Sequence, residues 1–576
     1  GQHPDDIEEI QKIEKEIQSE NERIKIYEEV SRNIGKKTKK DYFLWELDFV
    51  EVFSEKGGFD IVIGNPPYVR QELIAPPLET RNKYSEEDWR EIKKEYKEKL
   101  IQSVQNVWNN ITKIDRKSDL YVYFYYHGLS LLCPGGIFCF INSNSWLDVG
   151  YGAGLQEFLL KNMKPIYIFD NLAKRSFKRA DVNTVIILIQ RPKNKPDDYT
   201  IKFVAFRKPF EDVSNSEVIK KIENTNQPVF DDENFRIYPK TKKELLLEGV
   251  EIPEEGGSID LGPEHLPYIG NKWGGKYLRA PEIYFKILEK GKGKLVRLGD
   301  IADLQSGLIT GLDSFVFLTT KEINQYKIEK DFLKKVLRTP RQLTTCFVTS
   351  DRIETYAIYT DKTKQELRGT NLLEYIKLCE RTGALRRTAA KNQNAWFIIK
   401  KQNIKKPFIA LPRAPYNRFP VFLIKEDILV NDMVIIEPKN NDAVELTAAF
   451  IISTIGNLFI ELTSRSNLGL GTLKFERMDA KRYPFCNFEL YRNDVKSKLI
   501  EQWNKISRRN VNSIFIELGF DPLKPIREQE PNPLPDRKAL DDIIFDALDL
   551  TEEERKEVYW SVAELVKTRL EKARSV

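Results

Sequence analysis

Four consecutive residues, Asn65-Pro66-Pro67-Tyr68, follow directly on the apolar run FDIVIG at 59–64. An α/β sheet places its chemistry where a strand ends in a loop. Two prolines in a row fix that loop and bring no amide hydrogens of their own. The Asn65 side chain and the neighbouring carbonyls are thereby held at a constant angle beside the aromatic face of Tyr68. This set suits methylation of an exocyclic amine. The amino group of adenine would donate to the Asn65 side-chain oxygen and to the Pro66 carbonyl, turning its lone pair toward an electrophilic methyl group while the ring stacks on Tyr68. No general base of low pKa is required, in a chain with only three histidines, His3, His127 and His265. Three are too few for a His-rich metal site, and no metal is expected. The bland alternative, a plain Pro-Pro turn, is disfavoured by the strand that precedes it.

The elements that would position this loop follow from the pattern of apolar residues. FDIVIG is short and continuous, as in a strand buried on both faces. A charged helical insertion runs from Ser85 to about Lys117. Tyr121 to Cys133 reads as a helix ending at Pro134-Gly135-Gly136, a turn signal. GIFCFINS at 136–143 is the next strand, LQEFLLKNM a helix, and PIYIFD at 165–170 and VNTVIILIQ at 182–190 two more strands. That alternation is the second half of a doubly wound sheet.

Beyond it, RPKNKPDDYT leaves the first domain, and aromatic residues return inward at Tyr268, Trp273 and Tyr277. A new globular region begins near Leu295 with short strand-like pieces (SFVFLTT, WFIIK, PVFLI, MVIIEP). The last 80 or so residues are helical, and Thr551 with Glu554 predicts a capping box for the closing helix. At the other end, Ile10, Ile17 and Ile24 repeat every seven residues in an acidic helical arm, which the lysine run at 36–40 ends.

The segments in order resemble a known family: the amino-methylating DNA adenine methyltransferases of the gamma arrangement. Within it they are most similar to the type IIG-like restriction-modification enzymes that fuse a methyltransferase to a TaqI-like C-terminal specificity domain. GGFDIVIGNPPYVRQE matches the catalytic motif, giving Asn65, Pro66, Pro67 and Tyr68 as catalytic residues. KSDLYVYFYYHGLSLLCPGG resembles the following segment and implies that Asp119 and Tyr121 lie near the methionine end of the cofactor, S-adenosylmethionine. INSNSWLDVGYGAGLQEFL resembles the next, with Ser145 and Trp146 at a strand end. SFKRADVNTVIIL resembles the segment whose aromatic residue packs on the flipped base, here Phe177. An adenine inside a duplex is unreachable, so the resemblance implies base flipping with Tyr68 and Phe177 on either side of the ring.

LVRLGDIADLQSGLITGLDSFVFLT and SNLGLGTLKFERMD resemble the opening and the close of the family's target-recognition domain. Between them arginine is concentrated, interleaved with aromatic and amide residues as in LPRAPYNRF. Arg338, Arg341, Arg386, Arg387, Asn392, Arg413 and Arg418 are the expected contacts to double-stranded DNA, with Asn394 a further base-edge or phosphate candidate.

Length and composition set the frame. A chain of 576 residues suffices for about three to four domains. Its 92 basic and 87 acidic residues leave a formal charge of +5, which excludes a histone-like coat but not a basic groove. Five scattered cysteines read as buried free thiols of a reducing compartment, and the resemblance implies a prokaryotic cytoplasm. No run of 18 apolar residues occurs, and no membrane partner is expected. A nuclease would need a strand-borne aspartate with a Glu-x-Lys pair. Glu91-Ile92-Lys93 and Glu95-Tyr96-Lys97 sit instead in a helical pattern, so cleavage by this polypeptide alone is not expected.

One departure from the family is large. Its glycine-rich cofactor loop, aspartate-proline-x-x-glycine-serine-glycine, does not occur before Asn65, and Gly150-Tyr151-Gly152-Ala153-Gly154 comes too late to replace it. The chain also begins without methionine. The expectation is therefore the C-terminal part of a longer enzyme, or a chain working with a separate subunit. The expected fold is α/β: a partial doubly wound Rossmann-like sheet, an α+β target-recognition domain and a helical C-terminus. Its expected divisions are an arm (1–46), the catalytic part (47–195), a connection (196–290), the reader (291–490) and the helical end (491–576). The expected function is site-specific adenine methylation in duplex DNA. The alternatives are a non-catalytic specificity module serving a separate methyltransferase or nuclease, and an RNA or protein amine methyltransferase.

Overall fold

Seven strands form the sheet that carries the Asn-Pro-Pro-Tyr loop, in a computed structural model of the chain. The structure describes residues 43–109, 111, 114–177, 182–194, 196–226, 229–251, 266–384, 396–398, 404–466 and 470–575, with positions 17, 18, 21, 24 and 25 near the N-terminus. The heptad and the lysine run thus fall largely outside the described residues. The strands are β1 (Phe59–Gly64), β2 (Leu132–Ser143), β3 (Lys164–Asn171), β4 (Thr184–Gln190), β5 (Thr200–Phe206), β6 (Phe230–Asp231) and β7 (Phe235–Thr241). Their order is β1-β2-β4-β3-β5-β7-β6. β1 runs parallel to β2 and β3 to β5, while β4 lies antiparallel between β2 and β3.

Parallel neighbours need crossover connections, and helices supply them. After the charged helix α1 (Glu86–Val107), α2 (Leu120–Ser130) leads into β2 and α3 (Gly152–Asn162) leads into β3. α2 is apolar on nearly every side, LYVYFYYHGLS, and seven of its residues are buried, leaving Phe124 and His127 exposed, as expected of a helix with only a narrow solvent face. Phe138, Ile168, Ile187 and Phe203 form the centre of the sheet's core. Trp273 and Tyr277 join them, so the aromatic return read from the sequence is an inward one.

Three features differ from the sequence reading. β1 is not buried on both faces: it is the outermost strand, and Ile61 and Ile63 are 66% and 76% exposed. An apolar strand reports its own composition but not who its neighbours are. Pro134-Gly135-Gly136 is not a turn but lies inside β2. Gly135 takes a positive φ of 94° and the β1–β2 register slips beside it, so the signal marks a bulge. Finally, the sheet does not stop at residue 195, because β5 to β7 continue it to Thr241.

The later half contains a five-stranded sheet, with Phe408–Pro412 and Met433–Pro438 at its middle, and a four-stranded sheet centred on Leu333–Leu337 and Thr355–Ile358. PVFLI and MVIIEP supply strands as read, whereas SFVFLTT divides into a helical turn and a strand of three residues. Helices α4 (Val444–Ile452) and α5 (Thr454–Thr463) are buried, and the closing helix α6 (Glu552–Arg574) starts at the expected Thr551–Glu554 capping box. Val558, Val562, Val566 and Leu570 of α6 share one hydrophobic core with α4 and α5, so the region after 490 is not packed apart from the reader. Among the described residues no single helix is long and apolar enough to cross a membrane. All five cysteines are free, and four of them are buried.

Candidate active site

At the end of β1, Asn65 and Pro67 are exposed, Pro66 is buried and Tyr68 is half-buried. The Asn65 side chain makes no hydrogen bond among the described residues and is open to an incoming donor. Two backbone attachments fix the loop behind it. The Leu120 amide donates to the Val69 carbonyl at 3.0 Å, and the Gln71 amide donates to Asp119 Oδ1 at 2.9 Å. The head of α2 is thus joined to the segment just after Tyr68.

Tyr68 donates its hydroxyl to the Ile141 carbonyl of β2 at 3.1 Å, which sets the ring's position. Burial pushes this phenol up to about 12, so it stays neutral at working pH. Facing it is Phe177, from the segment between β3 and β4, with ring centroids 6.0 Å apart and planes tilted by 56°. The two rings are 109 positions apart in the chain, yet the order β1-β2-β4-β3 brings both to one side.

Asp119 also accepts from the Tyr151 hydroxyl at 3.0 Å, and Tyr151 is 2.8 Å from the Tyr121 hydroxyl. Burial raises the Asp119 carboxyl above its usual range, although the Gln71 amide and Tyr151 favour its charged form. Tyr121 itself is only 1% exposed. It has no surface with which to touch a cofactor and reaches the site through Tyr151 instead. A helix apolar on nearly every side buries this tyrosine. Trp146 is likewise a core residue, flanked by Tyr125 and Trp273. Gly152 is required by packing rather than by a ligand, since a Cβ there would lie 1.9 Å from the Trp146 carbonyl oxygen.

The expected DNA contacts divide three ways. Arg338 and Arg341 are exposed and make no salt bridge among the described residues; the Arg338 guanidinium lies over the Phe317 ring at 5.7 Å. Arg386, Arg387, Asn392 and Asn394 lie outside the described residues. Arg413 and Arg418 are engaged by neighbours within the chain. Arg413 donates to Asp432 at 2.6 Å and to Glu476 at 3.0 Å, so its charge is already neutralised. Arg418 donates to the Leu343 carbonyl, and burial lowers its pKa. The partners of both arginines lie within residues 291–490.

Two family models match this chain. Residues 6–177 match "Eco57I restriction-modification methylase" and residues 270–516 match "Type II methyltransferase M.Eco57I, C-terminal domain". Together they span most of its length. The chain is thus similar to Eco57I restriction-modification methylases in its first part and to the M.Eco57I C-terminal domain in its later part. Among curated proteins it is 32% identical over 154 residues to Type II methyltransferase M.BstVI of Geobacillus stearothermophilus, across 27% of this chain and 22% of that one. It is 33% identical over 139 residues to Type II methyltransferase M.XhoI of Xanthomonas vasicola, across 24% of this chain and 21% of that one. The matched stretch is therefore about a fifth of either relative's length. Among solved structures it is similar to the type IIG restriction endonuclease BpuSI, at 14% identity and a TM-score of 0.38 over 89% of this chain and 54% of that one. It is also similar to the type IIL restriction-modification enzyme MmeI in complex with DNA, at 12% identity and 0.45 over 88% and 57%.

Sequence reading missed Tyr151, which joins Asp119 to Tyr121. The only hint was a tyrosine between two glycines. It also missed Asn142, fully buried on β2, whose side-chain oxygen accepts from Tyr125 at 2.6 Å behind Tyr68. An amide inside an otherwise apolar strand was the available signal.

Proposed function

We propose that this chain carries the target-base pocket and the sequence reader of a DNA methyltransferase acting on N6 of adenine in duplex DNA, with S-adenosylmethionine as donor. The observation that carries this reading is the facing pair Tyr68 and Phe177 beside the open Asn65 side chain. An extruded adenine entering there would separate the two rings and stack against them. Its amine would donate to the Asn65 side-chain oxygen and the Pro66 carbonyl, which fixes the direction of the lone pair. The donor supplies an electrophilic methyl group when bound. The chain's part is to orient the amine, exclude water with the two rings, and accept the amine's hydrogens on neutral oxygens.

The described residues do not by themselves form a cradle for the whole cofactor. Asp119 and Tyr151 offer polar groups at one end, but β1 lies at the sheet's edge with Ile61 and Ile63 uncovered. We infer that upstream sequence of the same protein, or a separate subunit, covers this edge in the working enzyme. Arg338 and Arg341 are the reader's candidate phosphate contacts.

The test is transfer of labelled methyl from S-adenosylmethionine to duplex DNA, by this chain alone and with its upstream sequence restored. Activity that appears only on restoration, and that maps to N6 of adenine, is the expected result. Methylated cytosine, or no transfer in either form, refutes the reading.

A further inference from the structure

The segment that carries Phe177 is held at both ends by parts of the chain remote in sequence. At its start, Asp170 at the end of β3 accepts from Lys572 Nζ of α6 at 2.8 Å, with side chains 4% and 10% exposed. Two residues before Phe177, the Arg175 amide donates to Ser575 Oγ at 3.1 Å. At its far end, Asn183 Nδ2 donates to the Ser466 carbonyl at 2.9 Å. Ser466 opens the closing segment of the reader.

The same end of α6 grips that closing segment. Arg569 donates to Glu461 at 2.7 and 3.0 Å, to the Tyr416 carbonyl at 2.6 Å and to the Gly471 carbonyl. Residues 569 and 572 stand three apart and so share a helix face, with Ser575 just beyond the helix end. One helix end therefore touches both the base-facing segment and the reader. It also walls a cavity of about 1070 Å³ lined by Asp170, Arg175, Asn183 and Lys572. A buried ion pair is weak as a source of stability, and fixing one arrangement is its better-attested use.

We propose that Lys572 and Ser575 are positioning residues for base flipping. Through Asp170 and the Arg175 amide they hold Phe177 at the target base, and through Arg569 the same helix ties that position to the reader. The inference rests on the methyltransferase reading above.

The test uses the protein with its upstream sequence and its own recognition site, mapped as methylated adenine in cellular DNA. A duplex carrying 2-aminopurine at the target position reports extrusion without needing methyl transfer. Lys572→Met and Ser575→Ala are expected to keep duplex affinity within about 2-fold while kcat falls about 10-fold at unchanged KM. The 2-aminopurine signal should fall with it. Lys572→Arg and Ser575→Thr, which keep the donor or the hydroxyl, should restore most of both. Ser575→Ala leaves no buried charge behind, so it serves if Lys572→Met fails to fold. Wild-type protein that gives no signal on its own site sinks the methyltransferase reading and this inference with it. Wild-type signal matched by Ser575→Ala and Lys572→Met overturns the inference alone.

Discussion

Tyr68 and Phe177 meet at 6.0 Å with their planes 56° apart, touching each other rather than framing a gap. Two rings in this relation form a tilted aromatic contact. A base can stack between them only once the rings part, and Tyr68 is anchored to Ile141.

Phe177→Ala should therefore weaken extrusion more than it weakens binding. Loss of one stacking surface is worth about 1–3 kcal/mol, so the 2-aminopurine signal should fall at least several-fold with duplex affinity nearly unchanged. Tyr68→Phe removes only the bond to Ile141 and should cost about 1 kcal/mol. Fluorescence titration of the two variants against wild type measures both.

Asn65→Ala removes an acceptor that is exposed and otherwise unoccupied. Folding should be unaffected, and methyl transfer should fall on the order of 10²-fold, the usual loss for one preorganised polar contact in a transition state. Labelled methyl incorporation alongside a mobility-shift assay checks it. A fall in DNA affinity equal to the fall in rate would contradict the assigned role.

How much of this was legible beforehand depended on distance along the chain. Asn65 to Tyr68 are contiguous, and the strand before them is visible as an apolar run, so loop and chemistry could be read together. The alternation of helices and strands to residue 190 was equally local. The arginines were not so readable. Arg413 meets Asp432 and Glu476 only in the folded reader, and a sequence does not show which acid cancels which base. β1 was misjudged for the same reason: its composition is that of a core strand, and its exposure is set by the sheet order. Tyr151 and Lys572 gave almost no warning, because their partners are 32 and 402 residues away.

Ile61→Lys or Ile63→Lys tests whether the β1 edge is covered in the working enzyme. Both side chains are exposed here, so the melting behaviour of this chain should change by no more than about 0.5 kcal/mol. Methyl transfer by the protein with its upstream sequence should nevertheless collapse. Unchanged transfer would mean that nothing packs on this edge.

Glu248 gives an acid-sensitive contact between β7 and the reader's approach. Burial works to raise its pKa, but Lys276, Lys240 and Tyr277 outweigh that and hold it at about 2. A carboxyl lowered in the folded state contributes stability above its unfolded value near 4.5, and that stability is lost as pH falls toward 2. The full effect is at most about 3 kcal/mol. Glu248→Gln should flatten the slope of stability against pH in that window, as followed by urea denaturation.

The bond between Asp170 and Lys572 also sets a schedule. Its partners are 402 residues apart, so a ribosome adding roughly 5–20 residues per second makes the second about 20–80 s after the first. Throughout that interval the nascent sheet can fold around Asn65 without its helical fastening at Phe177. The fastening of the Phe177 segment is thus a late event of synthesis, made only once the closing helix exists.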